Sequence, residues 1–132
     1  YQPLSGKNGA GGKQELLGIQ YAHSLKPTIK VGDTEYEVVL DVQDNGSDDS
    51  TGKTAAAKLV ADKNLVVLGS YGSGVSIAGS ETFESAGLPA VGCSCTNPTV
   101  TEGKDYYFRI CFLDPFQGSV MASFAMELIE GK

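Results

Sequence analysis

Two short apolar runs constrain the fold of this chain more than any other feature. Leu65-Val66-Val67-Leu68 lies between Asn64 and Gly69, and Leu88-Pro89-Ala90-Val91-Gly92 follows Gly87. Such runs are too short for helices and carry no polar face, the mark of strands buried on both sides of a sheet. Each run leads into a loop of small residues. Buried strands separated by helical patterns pair in parallel, because the return connection needs a crossover.

The rest of the chain fits this pattern. Leu16, Leu17, Gln20, Tyr21 and Ser24 recur at helical spacing and predict a helix from Lys13 to about Leu25, ended by Pro27. Ile29 to Val31, the Gly32-Asp33 turn and the run Glu35 to Gln43 predict a small hairpin entering a strand. In that run Tyr36, Val38, Leu40 and Val42 alternate with mostly polar neighbours, as on an edge strand. A helix to about Lys63 follows, capped by Asp48, Asp49 or Ser50, with Ala56, Leu59, Val60 and Lys63 inward.

Val75, Ala78, Thr82, Phe83 and Ala86 are the expected inner stripe of a third helix, stopped by Gly87. Tyr106 to Phe112 predicts a strand in which Phe108, Ile110 and Phe112 share a face. Asp114-Pro115 opens a last helix, Asp as cap and Pro in the first turn, with Met121, Phe124, Ala125 and Leu128 as its stripe. The expected class is α/β: an open, mostly parallel, doubly wound sheet. The first helix has no strand ahead of it, so the sheet is expected to lack its first strand, and Tyr1 reads as a cut through a unit.

Charge and composition narrow the function. The chain has 132 residues, with 10 basic and 16 acidic side chains and a net charge of −6. An acidic surface argues against nucleic acid and anionic membranes as partners. No apolar run approaches the roughly 20 residues of a membrane span. Cys93, Cys95 and Cys111 are an odd set with C-x-C spacing, read as small buried residues; a Cys93–Cys111 bridge would need neighbouring segments. With His23 the only histidine, zinc would lack ligands, and no cofactor is expected.

Several motifs fail on spacing. Gly46 and Gly52 have five residues between them before Lys53-Thr54, one too many for a phosphate loop. Gly9-Ala10-Gly11-Gly12 lacks the last glycine of a dinucleotide fingerprint, where Gln14 stands. Gly72-Ser73-Gly74 is not a nucleophile elbow, and His23, mid-helix, has no evident partner as a base.

The two loops at the ends of the apolar runs remain. They are Gly69-Ser70-Tyr71-Gly72-Ser73-Gly74, which opens a helix, and Cys93-Ser94-Cys95-Thr96-Asn97-Pro98. Ligands of open α/β sheets bind beyond the carboxyl ends of the strands. Neutral hydroxyls and N–H groups beside a helix N-terminus can hold a carboxylate without an arginine. Tight turns alone would account for the same residues.

The chain resembles the type I periplasmic amino-acid-binding proteins, the leucine/isoleucine/valine-binding-like receptors of ABC importers. The residues that carry the resemblance run in order through it: Pro3-Leu4-Ser5-Gly6, Asp44-Asn45, Lys53 with Ala57-Lys58-Leu59-Val60, Val66-Val67-Leu68-Gly69-Ser70, Gly87-Leu88-Pro89-Ala90-Val91, Thr96-Asn97-Pro98, Tyr107-Phe108-Arg109 and Phe116-Gln117-Gly118. The resemblance implies a binding protein rather than an enzyme, with residues 1–132 as part of the N-terminal lobe of a two-lobed, secreted or surface-anchored receptor. It implies a small-molecule ligand, a second lobe of the same protein and a membrane permease as partners.

By position, the family's carboxylate site falls on Ser73, the backbone of Ser94 and Thr96, with Tyr71, Gly72 and Cys95 beside the ligand. The aromatic that relatives place in the first loop falls near Gly11, so that wall is expected to be absent. The family disulfide into the serine-rich loop is missing, since Gly72 stands at the partner place. Two other readings are a sensory domain of a receptor and a flavodoxin-like nucleotide-binding domain in which Lys53 matters.

Overall fold

A computed structural model describes residues 1–131. Its elements are α1 (Gly9–Leu25), β1 (Thr28–Val31), β2 (Thr34–Glu37), α2 (Asp49–Ala61), β3 (Val67–Leu68), α3 (Ser73–Ala86), β4 (Ala90–Gly92), β5 (Tyr107–Arg109) and α4 (Asp114–Glu130), with a 3-10 turn at Pro98–Val100. β3, β4 and β5 form a parallel sheet in that order, with Leu68 opposite Val91 and Gly92 opposite Arg109. β1 and β2 form a separate antiparallel hairpin.

Residues 1–2 extend the parallel sheet. Gln2 bridges Asp44 in parallel: its N–H donates to the Gln43 carbonyl, and its carbonyl accepts the Asn45 N–H, both at 3.1 Å. On the other side the Tyr1 amino group donates to the Leu68 carbonyl at 3.2 Å. The lateral order is therefore 43–45, 1–2, β3, β4, β5, the order of a doubly wound sheet. Farther from the loops this arrangement opens. A cavity of about 160 Å³ separates 38–42 from 66–68, with Leu16 and Ile19 of α1 and Leu59 of α2 in its walls.

Small residues let the main core close. α2 and α3 pack against each other, and a Cβ on Gly52 or Gly79 would meet the Tyr1 hydroxyl at 2.7 Å. The Tyr1 ring stands edge-on to Phe83 at 5.4 Å, and Phe83 lies 6.4 Å from Tyr107. Ala55, Ala56, Leu59, Val67, Leu88, Ala90, Cys95 and Val100 complete the cluster. Gly87 takes φ 63° as the left-handed cap of α3, where a side chain would be strained. Asp48 caps α2 by accepting the Thr51 N–H at 2.9 Å.

Several expectations are corrected. α1 starts at Gly9, four residues early, because Gly12 allows its backbone to lie on Pro3, whose carbonyl would stand 2.0 Å from a Cβ there. Its inner side carries Gly12, Glu15, Leu16, Ile19 and His23, while Leu17 and Tyr21 are exposed. His23 has a partner after all: its Nε2 lies 2.7 Å from the Val38 carbonyl. The run 35–43 forms a ladder only to Glu37, and beyond it the one bridge among the described residues is Asp44 to Gln2.

The strand Leu65–Leu68 is not fully buried. Only Val67 is, and Leu65 is 88 % exposed, because the ladder covers two residues and the cavity flanks them. Lys63 lies beyond the end of α2 and is exposed. In α3 the buried face is Val75, Ser76, Gly79, Ser80 and Phe83; Ala78 and Thr82 are half-buried and Ala86 is exposed. In β5 the faces are reversed: Tyr107 points into the core and hydrogen-bonds the Gly69 carbonyl at 2.9 Å, while Phe108, Ile110 and Phe112 are exposed. α4 buries none of its residues, so Met121, Phe124, Ala125 and Leu128 form no packed stripe within 1–131, and its cap is Leu113 rather than Asp114. The three cysteines are free; Cys95 is buried and the other two are half-buried.

Candidate functional site

Parallel pairing of β3 and β4 brings the loops that follow them to one end of the sheet. Ser73 is the first residue of α3, and its hydroxyl oxygen accepts the Asn97 N–H at 3.2 Å. The Ser73 proton stays available to donate elsewhere. Ser94 and Thr96 are half-buried on the second loop. The N–H of Ser94 and the N–H and hydroxyl of Thr96 donate to no protein acceptor among the described residues. The first N–H groups of α3 are unpaired by helix geometry and add to the donors at this end.

The Tyr71 N–H donates to the Gln2 side-chain oxygen at 2.9 Å, which pins the loop to the end of the sheet. Its ring lies over Gly11: a Cβ there would fall 2.5 Å from the ring. The space beside position 11, where no aromatic stands, is thus filled by a ring from the neighbouring loop. Gly72 packs on Asn8, whose amide nitrogen would meet a Cβ at 2.7 Å. Cys95 departs from the expected lining, because its side chain is fully buried in the core. Burial pushes its thiol up to about 11, so it stays protonated near neutrality.

Arg109, Glu15 and Gln2, outside the sequence-derived set, organise these loops. The Arg109 guanidinium donates to the carbonyls of Cys95 at 3.0 Å, Asn97 at 2.8 Å and Pro98 at 2.8 Å, and to the Thr101 hydroxyl. Its acceptors are all neutral, and no carboxylate pairs with it among the described residues. A positive charge therefore sits behind the loop that carries Thr96. Glu15 accepts from the Ser94 hydroxyl with one oxygen and from the Gln2 amide at 2.8 Å with the other. Arg109 stood in the sequence among the residues of a resemblance but without a role. An inward acid one turn from the inner glycine of α1 was the available signal for Glu15.

The neighbouring turns are fixed by Asp44. It accepts the Leu4 N–H at 2.8 Å, the Ser5 hydroxyl at 2.7 Å and the Gly46 N–H at 2.8 Å. Desolvation within the turns opposes its ionised form, but the hydrogen bonds from Ser5, Gly46 and Leu4 win and hold the carboxyl below its usual range. Among the described residues no group of three or more His, Cys, Asp or Glu could hold a metal. The chemistry on offer is hydrogen bonding by neutral donors, with the Arg109 cation behind the Thr96 loop and the Glu15 carboxylate engaged by Ser94 and Gln2; the donors left free suit an anion. The 160 Å³ cavity of the sheet is a separate feature, lined by none of the predicted site residues.

The comparisons agree with this architecture. The profile of the family described as periplasmic binding protein matches residues 1–132, and the chain belongs to that family. A curated relative, the Leu/Ile/Val-binding protein homolog 2 of Brucella abortus, is 34% identical over 119 residues, which cover 89% of this chain and 32% of that protein. The chain therefore spans about a third of the length of the curated relatives it matches. A leucine-binding protein from Thermotoga maritima has a TM-score of 0.89 at 37% identity, covering 98% of this chain and 36% of that one. A branched-chain amino acid transporter substrate-binding protein from Streptococcus pneumoniae, solved in complex with isoleucine, has a TM-score of 0.72 at 28% identity, over 86% of this chain and 32% of that one. The fold is that of a type I periplasmic binding protein lobe.

Proposed function

We propose that residues 1–132 belong to the N-terminal lobe of an extracytoplasmic receptor that captures an amino acid, or a similar small carboxylate, between two lobes. The reading rests on one observation above others: the Ser73–Asn97 bond joins two strand-end loops whose Ser94 and Thr96 donors have no protein acceptor, with the Arg109 charge behind them. Ser73, the Ser94 backbone and Thr96 hold the carboxylate, and Tyr71 and Gly72 lie beside the ligand. Each hydrogen bond to a charged acceptor contributes roughly 1.5–3 kcal/mol, enough in sum for reversible capture without a direct ion pair.

The ligand is branched-chain or related, in line with what the relatives' names state. The second lobe supplies contacts to the amino group and the side chain. The role is delivery to the membrane permease of an ABC importer, with no chemical conversion of the ligand. Calorimetric titration of the protein expressed from its complete gene with the twenty amino acids tests the reading. A saturable response to leucine, isoleucine or valine is expected, and no response across the set overturns amino-acid capture.

A further inference from the structure

Beneath the two loops one carboxylate makes a chain of contacts that the ligand reading does not use. One Glu15 oxygen accepts the Ser94 hydroxyl, and the other accepts the Gln2 amide at 2.8 Å. The Gln2 amide oxygen in turn accepts the Tyr71 N–H at 2.9 Å. Gln2 is 1 % exposed and Glu15 is half-buried, so competition from water is limited. The path runs from the loop after β4, through α1 and the end of the sheet, to the loop after β3.

We propose that Glu15 is a positioning residue that locks the Ser94 loop to the Tyr71 loop in the geometry that receives a ligand carboxylate. The proposal deepens the carboxylate-site reading of those loops and rests on it. Two consequences follow from donor and acceptor chemistry alone. The Ser94 hydroxyl proton is committed to Glu15, so Ser94 offers an incoming anion its backbone N–H and not its side chain. The direction of the chain is also fixed by charge. A carboxylate presents two acceptors to two donors, the Ser94 hydroxyl and the Gln2 NH₂ group, which leaves the Gln2 oxygen facing Tyr71.

That polarity provides a test that bulk and packing do not imitate. In E15Q the chain can re-form: the residue 15 oxygen accepts the Gln2 NH₂, and its NH₂ donates to the Ser94 hydroxyl oxygen, which turns from donor to acceptor. The exchanged pair E15Q/Q2E also satisfies every contact: residue 15 accepts from Ser94 and donates to Glu at position 2, whose second oxygen accepts from Tyr71. E15M offers no such acceptor and leaves the Gln2 NH₂ and the Ser94 hydroxyl without a partner. Met and Gln are close in volume, so a general packing defect would appear in both E15M and E15Q.

The experiment uses protein from the complete gene, with circular dichroism to confirm folding. Amide hydrogen exchange at Tyr71 reads the lock without ligand, and calorimetry with leucine, isoleucine and valine reads its effect. The expected result is faster Tyr71 exchange and about tenfold weaker binding in E15M, with both within about threefold of wild type in E15Q and E15Q/Q2E. Tyr71 exchange unchanged in E15M, or as fast in E15Q as in E15M, overturns the lock. Exchange that follows the expected pattern while wild type binds none of the three amino acids leaves the lock standing as a structural feature, overturns its role in positioning for them, and counts against the ligand reading. Failure of E15M to fold moves the comparison to wild type, E15Q and the exchanged pair, where wild-type Tyr71 protection in both variants supports the lock and its loss in either overturns it.

Discussion

The Ser73 hydroxyl accepts the Asn97 N–H at 3.2 Å, so a single side-chain atom joins the loop after β3 to the loop after β4. Because the oxygen is already an acceptor there, its proton is the part left for a ligand. S73A removes both the joint and the donor. Affinity for the ligand should fall by about 10–150-fold, the equivalent of one hydrogen bond to a charged group of roughly 1.5–3 kcal/mol. T96A should act in the same direction. Calorimetry of both variants checks this, and unchanged affinity in both removes these residues from the site.

Gly11 and Tyr71 compete for one volume. A methyl group at position 11 would stand 2.5 Å from the Tyr71 ring, which is the movable end of its side chain. G11A should therefore swing the ring outward and leave the backbone intact. The melting temperature should change by a few degrees at most, while Tyr71, already 38 % exposed, becomes more reactive to iodination. Ring reactivity equal to wild type would show that another contact holds the tyrosine.

Acid should loosen the turns around Asp44. Its folded carboxyl titrates below the unfolded value, so its contribution is complete above the unfolded pKa of about 3.9 and is lost as pH falls through the folded value. Thermal melts of wild type and D44N should differ at neutral pH and converge below about pH 4. A gap that stays constant down to pH 2 (well below the unfolded value) would mean that the ionised form is not what stabilises the turns.

Cys95 should be the last of the three cysteines to react. Its side chain is fully buried, and its thiol titrates at about 11. Iodoacetamide at pH 8 on native protein should modify Cys93 and Cys111, both half-buried, well before Cys95, as mapped by peptide mass. The raised value also means that Cys95 favours folding below its unfolded pKa and ceases to do so as pH rises toward 11. Labelling of Cys95 at the rate of Cys111 would contradict its burial.

Local signals in the sequence suffice where a short stretch decides the outcome. Asp48 caps a helix and Gly87 ends one because both effects act within four residues. The two loops were legible for the same reason, since the ends of β3 and β4 set their places. Features that depend on distant packing were not. Phe108 and Tyr107 are both aromatic, and only the position of α3 decides which of them faces inward. Glu15 reaches the two loops through Gln2 and Ser94, 13 and 79 residues away. Arg109 found its acceptors in loop carbonyls, which have no residue signature.

The cavity beside β3 has a practical consequence. Most open sheets expose two outer rims to solvent, whereas this arrangement also has two inner ones, at 38–42 and 66–68, with Leu65 and Val39 standing exposed beside them. Apart from the bonds of Val38 to Pro27 and His23 and of Leu68 to Tyr1, the backbone along these rims is open, and such an edge flanked by aliphatic side chains is a template for any extended chain, including a second copy. Handled as an isolated polypeptide, residues 1–132 should lose monodispersity as concentration rises, and light scattering should detect it well before melting does.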